Sequence, residues 1–371
     1  MKPGLRRKAR PVKVASLTIG GDAPISVQSM TKTDTRDRQA TLKQIRQLHE
    51  AGCELVRLAV PDRQAADAFC LIRKESPLPL VADIHFSHTL ALRVLEGGAD
   101  KLRINPGNIG NRQRVEEVVR AAKDKNVPIR IGVNGGSLEK DLLAEYGGAT
   151  PEAMVESAMR HIRILEDLDY PEIVISLKAS DIHRTVQAYR LLADRVPYPF
   201  HLGVTEAGSA FTGTIKSSIG LGILLMEGIG DTIRISLTAD SVEEIRVGRE
   251  ILKSVGRRND GPTVVACPTC GRSEIDMFAI TDGIERGVAS IRENLKLAVM
   301  GCVVNGPGES VDADLGIAPG KGVAMLYKEG KPYRKVAEKD LVEVFVREAK
   351  KMAEERRSRS LSGQVPKKAA S

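Results

Sequence analysis

Tryptophan is absent from the 371 residues, and all aromatic side chains together make up only 3% of them. A base-stacking surface needs more rings than that, so the formal net charge of +8 is not read as a nucleic-acid interface. No stretch reaches the ~18 consecutive apolar residues of a membrane helix. The basic opening MKPGLRRKARPVKV lacks the apolar segment of a secretory signal. The expectation is a cytoplasmic protein that meets neither membrane nor nucleic acid. A dinucleotide fingerprint is missing too: GLGILLMEG at 220–228 has Leu225 where the third glycine belongs. The cluster loop CxxxCxxC of radical-SAM enzymes does not occur. Histidine is scarce, with six in the chain and none after His201.

What is present is enough for one large domain and a smaller one, with 42% hydrophobic residues. Short β-branched runs alternate with segments of 3.6-residue periodicity. The runs are ISVQSM (25–30), ELVRLAV (54–60), LPLVADIH (78–85), DKLRIN (100–105), PIRIGVN (128–134), EIVISLK (172–178), FHLGVTE (200–206) and DTIRIS (231–236). Eight strands alternating with helices over 24–256 predict a TIM (β/α)8 barrel. Residues 1–23 read as a basic arm and a barrel-closing hairpin turning at Gly20-Gly21. After a linker at 257–262, residues 263–349 predict a smaller α+β domain, and 350–371 read as a basic, solvated tail. The eighth helix is expected to open with a capping box of Ser241 and Glu244.

In a TIM barrel the active site forms at the C-terminal ends of the strands. There the sequence places Arg57, Asp83 and His85, Arg103 and Asn105, Arg130 and Asn134, Lys178, Glu206, and Arg234 with Ser236. Arg57, Arg103, Arg130, Lys178 and Arg234 would bring five cations to one mouth, where like charges repel unless an anion neutralises them. Arginine, lysine and histidine suit phosphate oxygens, so the set points to a small polyanion such as a diphosphate. Glu206, an acid amid these cations, is the candidate proton carrier. His49, His161, His183 and His201 are weaker candidates, lying in helices or opening a strand.

Of five cysteines, Cys53 and Cys70 sit in apolar patterns and read as core. The others form CPTCGR, with Cys267 and Cys270, and GCVVNGPGE, with Cys302. CxxC with a third cysteine, each beside a glycine, fits a turn-borne metal or iron–sulfur site. No histidine remains to complete a zinc site, although three thiolates with a carboxylate stay possible. Three thiolates also suit a [4Fe–4S] cluster with one unlike corner, for which Glu309 is the candidate. A phosphosugar-binding barrel with structural zinc is the alternative.

CPTCGR and GCVVNGPGE, behind a barrel carrying VQSMT, RINPGN, SLKAS and VTEAG, closely resemble the 4-hydroxy-3-methylbut-2-enyl diphosphate synthases over roughly residues 10–345. The resemblance implies reductive ring opening and dehydration of 2-C-methyl-D-erythritol 2,4-cyclodiphosphate, using a [4Fe–4S] cluster fed by flavodoxin or ferredoxin. It implies Cys267, Cys270, Cys302 and Glu309 as cluster ligands. It makes Arg57, His85, Arg103, Arg130, Lys178, Arg234 and Ser236 diphosphate-binding, with Asp83, Asn105 and Asn134 nearby. Glu206 would be the catalytic acid/base, and Asn305 would approach the substrate from the cluster side. The eighth helix, about 14 residues or ~21 Å long, runs back to the bottom of the barrel, and seven extended residues of GRRNDGP span at most about 25 Å. One chain's cluster is therefore expected to serve the barrel of a second, in a head-to-tail homodimer.

Overall fold

The computed structural model describes residues 5–361 apart from 110, 260 and 321. It divides into two compact units, one ending at Arg258 and one starting at Asn259. Among the described residues no helix is long and apolar enough to cross a membrane.

The first unit opens with an antiparallel hairpin of β1 (Val12–Val14) and β2 (Leu17–Ile19). The turn is at Ala15 and Ser16, with Ala15 at φ 51°, and the expected Gly20-Gly21 pair instead follows β2. Gly20 lies where the backbone crosses Arg10, since a Cβ there would meet Arg10 O at 2.5 Å. Val14, Ile19 and Leu17 pack on Leu55 and Val81 inside the barrel and plug it from below. The described part of the arm before the hairpin is tied to the barrel. Arg6 pairs with Asp231 at 2.7 Å, and Arg7 lies 4.0 Å over the Phe200 ring and donates to Val196 O at 2.8 Å.

The barrel strands are β3 (Ser26–Met30), β4 (Leu55–Ala59), β5 (Leu80–Asp83), β6 (Lys101–Ile104), β7 (Ile129–Asn134), β8 (Ile173–Lys178), β9 (His201–Leu202) and β10 (Thr232–Ile233). They pair in parallel in the order β8-β7-β6-β5-β4-β3-β10-β9, and a parallel bridge from Ile175 to Phe200 closes the ring. Each strand expected from the sequence is found. β9 and β10 are shorter than expected, because pairing there thins to single bonds such as Arg234 N–H to Leu202 O at 3.0 Å.

Alternation decides which side chains fill the barrel. Val56, Leu58, Leu80, Ala82, Leu102, Ile104, Ile129 and Ile131 face outward into the apolar layer beneath the helices. The residues between them face inward, and many are buried and polar: Ser26, Gln28, Asp83, Lys101, Arg130, Ser176, His201 and Thr232. Barrels are ordinarily filled by branched aliphatic side chains, so this interior is built for charge. Cys53 and Cys70 are buried as expected, and burial pushes the Cys53 thiol up to about 12.

The second unit is one sheet of β11 (Thr263–Ala266), β12 (Lys296–Val299), β13 (Leu315–Gly320), β14 (Val323–Lys328) and β15 (Lys331–Ala337), in that order. The first three strands are parallel and the last two antiparallel. The helices Met277–Val288 and Leu341–Leu361 pack against each other. A Cβ at Gly287 would meet Val346 Cγ2 at 2.4 Å, so glycine is what lets these helices approach. Residues 350–361, expected as a solvated tail, continue the last helix, with Met352 and Ala353 buried. The rest of that expected tail lies outside the described residues.

Candidate functional site

Inward-facing positions near the C-terminal ends of the barrel strands hold the cations that the sequence singles out. Asp83, last in β5 and 5% exposed, organises one arc. Arg103 approaches it at 3.1 Å, Arg57 at 3.7 Å and His85 at 3.7 Å. Burial alone would raise the Asp83 carboxyl, but Arg57, His85 and Arg103 together hold it well below the usual carboxylate range. Arg103 also lies 3.0 Å from the His85 ring Nε2. Burial pushes Arg57 down to about 10, with Asp83 opposing and Arg234 and Arg103 adding repulsion.

Arg130 is 1% exposed, and among the described residues its Nε and Nη1 have no hydrogen-bond partner. Burial, then Arg57 and Arg103, lower it well below its ordinary value. Lys178, expected as a permanent cation, is likewise pushed far down by burial and by Arg130, Arg57, Arg234 and Arg103. Burial is the larger cause and the neighbouring cations add to it, so an ammonium at Lys178 is costly where no anion faces it. The crowding depends on glycine. A Cβ at Gly203 would meet Lys178 Nζ at 2.7 Å, and one at Gly132 would meet Arg103 Nε at 2.5 Å. Arg234 bonds Ser236 and pairs with Glu244 at 3.5 Å.

The remaining barrel candidates are arranged differently from one another. Asn105 is buried directly after β6. The Asn134 side chain accepts the Gly136 N–H at 3.1 Å and so caps its own turn. Glu206 was expected to end its strand, but β9 stops at Leu202 and Glu206 lies exposed in the following loop. Its φ is 52°, in the left-handed region where a non-glycine residue is strained. Among the described residues none hydrogen-bonds or ion-pairs with its carboxylate.

Two further groups here stand without a hydrogen-bond partner among the described residues: Lys101, which escaped the sequence reading, and His201, which it ranked among the weaker candidates. Lys101 is fully buried two positions before Arg103, its Nζ has no partner, and burial with Arg130 and Arg57 lowers it far below its ordinary value. His201 is fully buried with both ring nitrogens unpartnered, and burial with Arg130, Lys178 and Lys101 keeps it neutral. The available signal was period two: Lys101 shares a face with Arg103, and His201 with Gly203.

In the second unit the cysteines occupy neighbouring loops beyond β11 and β12. The Cys267 N–H donates to Val299 O at 2.9 Å, and the Glu274 N–H to Gly301 O at 3.0 Å. Thr269, inside CPTC, takes φ 63°. Cys302 is buried, Cys267 half-buried and Cys270 exposed, and none is in a disulfide. The backbone N–H groups of Asn305 and Val304, with Arg272 nearby, hold the Cys302 thiol below its ordinary value. Exposed Asn305 precedes the short helix Gly306–Val311, whose first turn carries exposed Glu309. Among the described residues no three His, Cys, Asp or Glu side chains stand close enough together to hold a metal ion. The candidate cysteines lie on adjacent loops and Glu309 on the short helix that follows Cys302, without a preformed cage among the described residues.

Residues 9–249 match the GcpE TIM-barrel domain family and residues 263–351 the GcpE protein C-terminal domain family. The chain is 57% identical over 352 residues to the 4-hydroxy-3-methylbut-2-en-1-yl diphosphate synthase (flavodoxin) of Geobacter sulfurreducens, covering 95% of this chain and 100% of that one. It is 56% identical to the protein of the same name from Symbiobacterium thermophilum, covering 97% of each. Among solved structures, N-acetylneuraminic acid (sialic acid) synthetase from Leptospira borgpetersenii aligns with a TM-score of 0.49 and 12% identity, over 67% of this chain and 90% of that one. With both domain families matched and relatives more than half identical along nearly all of its length, the chain belongs to the GcpE family, the 4-hydroxy-3-methylbut-2-en-1-yl diphosphate synthases, and is an oxidoreductase of isoprenoid biosynthesis rather than a phosphosugar-binding barrel with structural zinc.

Proposed function

We propose that the cationic ring binds 2-C-methyl-D-erythritol 2,4-cyclodiphosphate, which the enzyme opens reductively with loss of water. The crowding of Arg57, Arg103, Arg130, Lys178 and Arg234 around Asp83 and Glu244 carries this reading. A bound diphosphate supplies the missing negative charge, satisfies the unpartnered Arg130 nitrogens and stabilises the Lys178 ammonium. As the ring opens, charge grows on the released phosphate oxygen, where these donors are already aimed. Glu206, exposed in the loop after β9, is the proposed relay for the proton that goes to the departing hydroxyl oxygen.

The donor set of the second unit fits a [4Fe–4S] cluster. Its thiols are reduced, Cys302 is predisposed to the thiolate, and the cysteine-bearing loops are neighbours. Cys267, Cys270, Cys302 and Glu309 would hold the cluster, which supplies single electrons and one electrophilic iron when bound. Flavodoxin, which the relatives carry in their name, or ferredoxin is the proposed electron donor, and Asn305 is proposed to approach the substrate from the cluster side.

We also propose a homodimer with composite sites. Arg258 is tied to Ile25 O at 3.1 Å and Glu54 at 2.9 Å, just ahead of β3 and β4, so the chain leaves the barrel at its N-terminal rim. Residues 259–262 then precede β11, a length spanning at most about 18 Å. The substrate ring is at the other rim.

Iron and acid-labile sulfide on anaerobically purified protein test the central reading. About four of each per chain, with an EPR signal that changes on adding the cyclic diphosphate, is the expected result. Zinc without labile sulfide would overturn it.

A further inference from the structure

Glu244 was expected to cap its own helix, and it does not. Asp240 caps the helix Ser241–Ser254, accepting the Val242 N–H at 2.8 Å. Glu244 is 1% exposed and reaches the ends of the neighbouring barrel strands. Its Oε1 accepts the Leu237 N–H at 3.0 Å and lies 3.2 Å from Lys32 Nζ. Its Oε2 accepts Ser29 Oγ at 3.1 Å and lies 3.5 Å from Arg234. One carboxylate thus joins the end of β3, the turn after β10 and the Arg234 guanidinium.

A carboxylate this buried is a costly way to stabilise a fold, because well-packed apolar residues of similar volume usually do as well or better. Its contacts suggest another purpose. Among the described residues Glu244 is the ion-pair partner of Arg234, while Arg234 Nε is buried with no partner. Leu237, whose N–H it holds, directly follows Ser236, which bonds Arg234. Asp83 does the equivalent for Arg57 and Arg103.

We propose that Glu244 is a positioning residue for the reaction, fixing Arg234 and the Ser236–Leu237 turn in the orientation that receives the diphosphate. This rests on the reading that the ring binds the diphosphate. Without the carboxylate, Arg234 is free to turn away, and part of the binding energy goes into reorienting it.

The test is a double-mutant cycle read by calorimetric titration with the cyclic diphosphate: wild type, Glu244→Gln, Arg234→Met and the double variant. Glu244→Gln is expected to weaken binding about tenfold, the size of one displaced charge-assisted contact. The double variant should lose less than the two single losses added together, because the part of the Glu244 effect that runs through Arg234 is already gone, and turnover should show KM rising with kcat little changed. If Glu244→Gln does not fold, judged by circular dichroism, Glu244→Asp takes its place, keeping the charge but shortening the reach. Wild-type affinity in the Glu244 variant overturns the proposal, as does a double variant in which the two losses add. Wild-type affinity in Arg234→Met overturns the ring reading itself, and the proposal with it.

Discussion

Lys101 shows what the barrel interior gives up in stability. It is fully buried and, among the described residues, has no hydrogen-bond partner and faces Arg130, Arg57 and His201 with no carboxylate among its electrostatic partners. Methionine fills a similar volume without the amine. Lys101→Met should stabilise the unliganded protein by about 1–2 kcal/mol, raising its melting temperature about 2–8 °C. The sign with pH follows from the depressed value. Below the ordinary 10.5 the unfolded chain holds a proton that the folded chain refuses, so wild-type stability falls as pH falls. The variant's advantage should therefore be present at neutral pH and vanish as pH rises past that value. Melting curves at pH 7.5 and 10.5 check this, and equal stability of the two proteins at neutral pH would mean that the lysine is compensated. The ring residues at strand ends were legible because charge at the end of a β-branched run stands out. Lys101 was hidden because a lone lysine opening a strand looks like a solvated edge.

At the level of the strand, two glycines decide whether the cations can converge. Gly132 on β7 and Gly203 beyond β9 leave the space that Arg103 and Lys178 occupy. The backbone at Gly132 does not lie in the left-handed region, so Gly132→Ala strains no dihedral and acts through Arg103. It should weaken binding of the cyclic diphosphate roughly tenfold, as for a lost charge-assisted contact, while the melting temperature changes little. Unchanged affinity on titration would show that Arg103 has room to move. The eight barrel strands could be read from apolar runs, because one face of each is packed under helices. β13 and β15 could not. β13 carries glycine and proline, and β15 (KPYRKVA) is largely exposed, so neither shows the alternation that marks a half-buried strand. Glu244 was misread for a related reason: Ser-x-x-Glu is a local signal, and here a non-local set of donors captured the glutamate.

Across the whole molecule, the proposal that the two units carry separate halves of the chemistry can be tested by mixing. Glu206→Gln is expected to keep binding and lose turnover, and Cys302→Ser to lose the cluster. If the sites are composite, co-expressed chains bearing one change each should recover activity, since one of the two sites in a mixed dimer draws both intact halves. Each variant alone should stay near background. No recovery, with mixed dimers confirmed by mass spectrometry, would place both halves of a site on one chain.

The arm that locks the barrel has a consequence for how the protein is made. Arg6 leaves the ribosome well ahead of its partner Asp231, which lies 225 residues later. At ~5–20 residues per second, that separation is about 11–45 s of synthesis. Until β9 and β10 emerge, the growing sheet has open edges and an uncovered layer of branched side chains. During that interval the nascent chain is a natural client for a chaperone.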